Sequence, residues 1–340
     1  MAEDKQAPKA KAAAGSRSGR RILKTIYERP DTRAILFLIV LMALIGSLAP
    51  AFLSSRNIGY ILLHSSVLCI IALGETLVIL MGMIDLSPAA LASFAGIILG
   101  SRLDPTTSSG GMVEQIAFVM AIGFVIGIAN GLLVMRAKIP SIIATLGTMI
   151  FIEGCTLVDS GGFATGAKGF PTSFQALGSG YIFGIIPDSV LIMVIIVIIV
   201  QLVISKTVIG RNIVAIGGNE EAVVLSGINA ERIKIVVWGF AGLLAAFGGV
   251  VLTAQLNSAY PDAADNLLLP MIAAVVIGGT KLMSGAGEGG AYQTLVGAII
   301  LSVITNALIV LGINTYYQNI VTGIVLIAAT AGTIKSKIAK

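Results

Sequence analysis

KTVIGRNIVAIGGNEEAVVLSGINAERIK, residues 206–234, is the only long polar interval between two strongly apolar blocks of this chain. Within it Asn219 is a helix N-cap by residue type, and Glu220 and Glu221 follow in the electropositive first turn. Ala222, Val223, Val224 and Leu225 come next, and Gly227 is a natural stop. The pattern predicts a helix of about two turns, too short to be stable alone. It carries apolar residues in a segment that faces water, so it packs either on its own protein or on a partner. The flanking blocks, and the side on which the segment lies, decide between the two.

Composition identifies the blocks. The chain has 340 residues, 56% of them hydrophobic and only 11% charged, whereas soluble domains carry about 25% charged residues. Mean hydropathy is +0.98. The fold class is therefore an all-α polytopic membrane protein. A span needs ~20 apolar residues, and candidates run over 34–53, 57–81, 86–101, 115–135, 139–157, 190–205, 235–255 and the short 267–279. Residues 289–334 then hold no charge at all, 46 in a row. That is enough for a ninth and a tenth span, with the turn at 312–319. Several of these helices are short or interrupted. GMIDLSP at 82–88 and GGTKLMSGAGEGG at 278–290 each break an apolar run, and such paired breaks often mark a permeation path in transporters. The other reading of both is an ordinary turn.

Charge sets the orientation. Nine of the 22 Lys and Arg lie in residues 1–33, which contain no apolar core and read as a basic cytoplasmic tail that contacts lipid rather than nucleic acid. With the N-terminus inside and ten spans, both termini are cytoplasmic, the C-terminal tail being 336–340. Nineteen of the 22 basic residues then fall inside, leaving Arg56, Arg102 and Lys168 outside. This places 206–234 in the cytoplasm.

Catalytic patterns are absent from the sequence. There is no G-x-x-x-x-G-K-S/T phosphate loop, so the chain is not its own P-loop ATPase, and no cofactor is expected in it. One histidine, His64, and two cysteines, Cys69 and Cys155, make no metal motif. Ionisable residues inside spans carry more information, because burying a charge in lipid costs ~2.5–3.5 kcal/mol. Glu75 lies in the second span and Asp85 at the first break, and each either lines a pathway or braces the break. Asp85 is suited to accept backbone N–H groups at the next helix start, beside Ser87. Asn130 and Asn306 open similar runs, Asn-GLLV and Asn-ALIV, a faint echo of duplicated halves. Gln255, Asn257 and Tyr260 close the seventh span on the outside, where they either contact a sugar or a docked partner or simply anchor the interface.

Six segments together resemble a known family: AFLSSRNIGYIL (51–62), ALGETLVILMGMIDLSPAAL (72–91), IPSIIATLGTM (139–149), GRNIVAIGGNEEAVVLSGINAERIKI (210–235), GGVVLTAQLNSAYP (248–261) and IAAVVIGGTKLMSGAGE (272–288). In order and over about residues 35–330, the chain is similar to the permease subunit of ribose-type ABC importers. The resemblance implies one permease domain over 34–335 in the inner membrane. It implies a second permease subunit, a copy or a relative. It also implies cytoplasmic ATPase subunits and a periplasmic or lipid-anchored sugar-binding protein. It further implies that the helix built from Asn219, Glu220, Glu221, Ala222 and Leu225 up to Gly227 docks on the ATPase, the spacing Glu221-Ala222-Val223-x-x-x-Gly227 being similar to the importers' coupling pattern. The chain departs from the family at Leu268–Ile272, which has no carboxylate, at Glu75, where the family is commonly neutral, and at Gly82-Met83. The rival expectation is an ion-coupled carrier with Glu75 as the coupling residue.

Overall fold

The computed structural model describes residues 30–182, 184, 186–281, 289–314, 317, 320, 321, 323, 324 and 327. The basic tail up to residue 29, the Gly-rich 282–288 and most of the expected tenth span with the C-terminal tail lie outside the described residues.

Eleven helices are assigned among them: α1 Pro30–Leu48, α2 Ser55–Leu80, α3 Pro88–Arg102, α4 Ser109–Met135, α5 Ser141–Ser160, α6 Thr172–Ser179, α7 Asp188–Lys206, α8 Val208–Leu225, α9 Ala230–Leu256, α10 Leu268–Gly278 and α11 Ala291–Val310. Short polar side chains start several of them. Ser54 Oγ accepts the Asn57 N–H before α2, Ser108 Oγ the Gly111 N–H before α4, and Asn229 Oδ1 the Arg232 N–H before α9. Proline precedes α5, α6 and α7.

Six of these helices are long and apolar enough to cross a membrane: α2, α4, α5, α7, α9 and α11. Of the expected first, third and eighth spans, α3 and α10 are shorter, with 15 and 11 residues, while α1 has 19. The ninth ends where its turn was expected, at Leu311 and Gly312, the latter at φ 72°.

The Gly-rich interval 160–180 holds α6 and leads into a two-stranded hairpin, β1 Tyr181–Ile182 against β2 Ile186–Pro187. Phe174 of α6 is fully buried beside Phe170, and this burial supports a helix of only eight residues that contains Gly178. The connection 208–218 is also helical, as the first part of α8.

α2 is the axis of the bundle: 83% of its apolar window is buried, against 22% for α5. It packs on α9, α11, α7 and α10. α9 in turn packs on α4, α2 and α3. The α4–α9 crossing is a seam of small residues, Gly123 facing Gly242 and Gly127 facing Trp238 and Gly239. A Cβ on Gly127 would overlap the Trp238 carbonyl oxygen, so the two backbones touch directly. The spacing Gly123-x-x-x-Gly127, common in membrane helices, is thus used at a close crossing. The outer helices expose apolar side chains, such as Ile143, Ile150 and Phe151 on α5 and Ile195 and Ile199 on α7. Faces of this extent fit a lipid or protein neighbour, not water.

Candidate functional site

The break between α2 and α3 is the first part of the site. Its backbone has no helix to satisfy it, and in a bilayer every unpaired N–H costs several kcal/mol. Each amide from Gly82 to Ser87 has an acceptor. Gly82 N–H and Met83 N–H donate to the carbonyls of Ile79 and Val78 at the end of α2, at 2.9 and 3.2 Å. Ile84 N–H donates to Ser141 Oγ at 3.4 Å, Asp85 N–H to Glu75 Oε1 at 3.2 Å, and Leu86 N–H to Thr145 Oγ1 at 3.0 Å. Ser87 N–H donates to Asp85 Oδ1 at 2.8 Å. Four successive amides are therefore held by side chains from α2, α5 and the break itself.

A buried chain of hydrogen bonds extends from there. Ser87 Oγ donates to Asp85 Oδ1 at 2.7 Å and accepts from Asn130 Nδ2 at 3.0 Å, and Asn130 Oδ1 accepts from Thr148 Oγ1 at 2.6 Å. Asn130 is five residues before the end of α4, about 8 Å along the axis. α3, 15 residues and about 22 Å long, therefore starts that far inside the bundle. Together the two lengths make up about 30 Å, the thickness of a hydrocarbon core.

Glu75, Asp85, Ser87 and Asn130 are thus brought together. Glu75 is 0% exposed, and its Oε2 has no hydrogen-bond partner among the described residues. Of its two expected roles the geometry shows the brace, through Oε1. Glu75→Gln keeps that acceptor, so uptake is expected to be unchanged at every pH. Loss of uptake in this variant would mean that the charge itself is required, as an ion-coupled carrier would have it.

Asn306 is not part of this cluster. It pairs with Asn57 across α11 and α2, Nδ2 to Oδ1 in both directions at 2.8 and 3.0 Å, and so fixes the start of α2. The echo between the two Asn motifs is one of position near a helix end, not of use.

The second break follows the same physics with other residues. Gln201 Oε1 of α7 accepts the Ala291 and Tyr292 N–H groups at the start of α11, at 3.0 and 3.4 Å. Thr76 Oγ1 meets Thr294 Oγ1 at 2.6 Å. Sequence reading missed Gln201, Thr76 and Thr294, and also Ser141, Thr145 and Thr148. The last three left one signal, a polar stripe at i, i+4 and i+7 along an apolar helix.

The second part of the site is α8. Thr207 Oγ1 caps its start by accepting the Gly210 N–H at 3.1 Å. At Asn219 the backbone leaves the helical region, at φ −159° and ψ 94°, and Asn219 Oδ1 accepts the Ala222 N–H at 3.0 Å. The helix therefore restarts there, and the expected two-turn helix is the second half of α8. Gly227, at φ 80°, ends it, with Gly227 N–H donating to Val224 O and Ile228 N–H to Val223 O at 3.0 and 3.3 Å. Val223 is buried, whereas Val224 is 54% and Leu225 83% exposed. Glu221 and Ala222 also face outward. Glu220 does not share their free position, because Lys234 of α9 pairs with it. The Arg136–Glu231 pair, at 3.1 Å, places the α4–α5 turn at this same end.

The opposite end holds the three residues at the close of α9. Gln255 turns into the bundle, its Nε2 donating to Leu63 O and Ser66 Oγ, each at 3.1 Å, so it is a tie to α2 and not an outward contact. Asn257 ends α9 in the left-handed conformation, at φ 49°, a structural use for a residue that tolerates it. Tyr260 stays exposed, beside a bridge that pairs Ala259 with Thr165. Nearby, burial and the neighbouring Asp262 raise the pKa of the Asp265 carboxyl.

With this geometry in place, comparison with known proteins is informative. Residues 57–330 match the family described as branched-chain amino acid transport system / permease component. The chain is similar to the ribose import permease protein RbsC of Haemophilus influenzae, with 39% identity over 88% of this chain and 91% of that protein. It matches the ribose import permease protein RbsC of Escherichia coli at 37% over 92% and 96%. It matches the L-arabinose ABC transporter permease protein AraH of Azospirillum brasilense at 32% over 87% and 85%. No solved structure matches the chain. The matched span contains both breaks and the whole of α8, and the chain belongs to the branched-chain amino acid transport system / permease component family, as a ribose-type ABC permease.

Proposed function

We propose that this chain is the translocation subunit of a binding-protein-dependent ABC importer that carries a monosaccharide, a pentose or hexose or a related polyol, across the inner membrane. The observation that carries the reading is the second half of α8. It is capped by Asn219, stopped by Gly227, rooted through the buried Val223, and presents Glu221, Val224 and Leu225 outward. An apolar pair so exposed at a helix end needs a partner, and a permease without a phosphate loop needs an ATPase. The N-terminus is inside, and α8 lies in the cytoplasm. The separate ATPase subunits bind ATP and Mg, a second permease subunit completes the core, and the sugar-binding protein docks at the opposite end, near Tyr260. Asn130 and the braced break lie beside the path. ATP closes the ATPase dimer, α8 moves with it, and the path alternates between the two sides, driven by the partners' different affinity for the two states. The chain itself performs no covalent chemistry. The names of the relatives, ribose, L-arabinose and D-allose permeases, support the sugar class.

The test is reconstitution in proteoliposomes. Uptake is expected only with the ATPase, ATP and the binding protein, and uptake by this chain alone would refute the reading. Glu221→Ala and Gly227→Val are expected to uncouple uptake from ATP hydrolysis while the chain stays in the membrane, since a β-branched residue at φ 80° unwinds the stop. Normal uptake in both variants would remove α8 as the docking element.

A further inference from the structure

Lys234 stands in the second turn of α9 and is only 5% exposed. Lysine is almost never buried without a partner. Its partner is Glu220, half exposed, the first residue after the kink in α8. Another ion pair, Arg136–Glu231, is exposed at both side chains. Exposed pairs contribute little and hold no fixed geometry. The Lys234–Glu220 pair is the withdrawn one, and it joins the docking half of α8 to α9.

What α9 touches gives the pair its meaning. Its seam with Gly123 and Gly127 leaves no slack between it and α4, and Gly249 sits against the Ala92 backbone of α3. α3 is the helix that begins at the braced break. The covalent route from α8 to α9 runs instead through the turn Ser226–Asn229, with Gly227 at its centre.

We propose that the Glu220–Lys234 pair is the positioning link by which displacement of the docked half of α8 is passed to α9, and through it to α3 and α4. Glu220 then serves its own chain and not the ATPase contact, which is left to Glu221, Val224 and Leu225. This rests on the permease reading given above.

The experiment uses the assembled importer in proteoliposomes, with ribose, L-arabinose and D-allose as probes and with ATP hydrolysis measured alongside uptake. If the unmodified importer shows no ATP-dependent uptake of these three or of any sugar in a wider panel of pentoses, hexoses and polyols, the permease reading fails, and the link with it. Given uptake, Lys234→Met and Glu220→Gln are each expected to lower it about tenfold, within the range typical of coupling between sites. The ATPase is expected to co-purify normally and ATP to be turned over, so that more ATP is used per sugar. Lys234→Arg keeps the pair and the uptake. The exchange Glu220→Lys with Lys234→Glu restores most of what the single changes lose, the non-additivity of a direct pair. Three results overturn the proposal. One is normal uptake in both single variants. Another is a fall in uptake that only follows the amount of assembled complex. The third is loss of ATPase co-purification in Glu220→Gln with normal behaviour of Lys234→Met, which would assign Glu220 to the partner contact.

Discussion

Asp85→Ala is expected to abolish uptake and to lower the stability of the purified protein by about 3 kcal/mol, as the sum of a lost N-cap-type acceptor (~1) and buried donors left unpaired (~1–3). Asp85 Oδ1 accepts from both the N–H and the Oγ of Ser87, and Ser87 Oγ is in turn what Asn130 donates to. Removing the carboxylate therefore unmakes the start of α3 and loosens its tie to α4. Asp85→Asn keeps an oxygen in the same place and is expected to cost under about 1 kcal/mol, the scale of one neutral hydrogen bond. Thermal unfolding in detergent and uptake in proteoliposomes check both. Equal loss in the two variants would show that the acceptor is not what matters.

Gly127→Leu is expected to leave almost no folded protein. The side chain has nowhere to go, since even its Cβ would overlap the Trp238 carbonyl oxygen, which is backbone and fixed in α9. Gly127→Ala is expected to cost about 1–3 kcal/mol, the usual range for overpacking a filled interior. Gly147 is the control: it lies on α5 with nothing within 4 Å of a built Cβ. Gly147→Leu is therefore expected to accumulate normally. Monodisperse protein recovered in detergent measures all three. A normal yield for Gly127→Leu would mean that the α4–α9 seam is wider than described.

The residues read correctly from sequence are those whose partner is close in the chain. Asn219 bonds three residues ahead, Asp85 two residues ahead, and Gly227 is chosen by its own φ. Helix existence was legible for α2, α4, α5, α7 and α9 because hydrophobic length alone specifies a span. What was not legible depends on distant neighbours. Gln255 reads as an outward polar end until α2 is placed beside it, and Glu220 reads as a free carboxylate until Lys234 arrives from the next helix. Thr145, which accepts the Leu86 N–H, and Thr148, which donates to Asn130, look like ordinary hydroxyls of a membrane helix. α6 is hidden because it is only eight residues long and lies among the glycines of 161–180, and the burial of Phe174 that supports it depends on distant neighbours. The character of α2 as the axis was also hidden, since a helix covered on all sides has no polar face to reveal its surroundings.

Consecutive side chains on α2, Glu75 and Thr76, serve the two different breaks, one holding Asp85 and the other meeting Thr294. Adjacent positions on a helix point about 100° apart, so one turn of α2 reaches the starts of two different helices, α3 and α11, on different sides. The two are consequently geared together. A rotation or slide of α2 by a fraction of a turn therefore displaces both contacts at once.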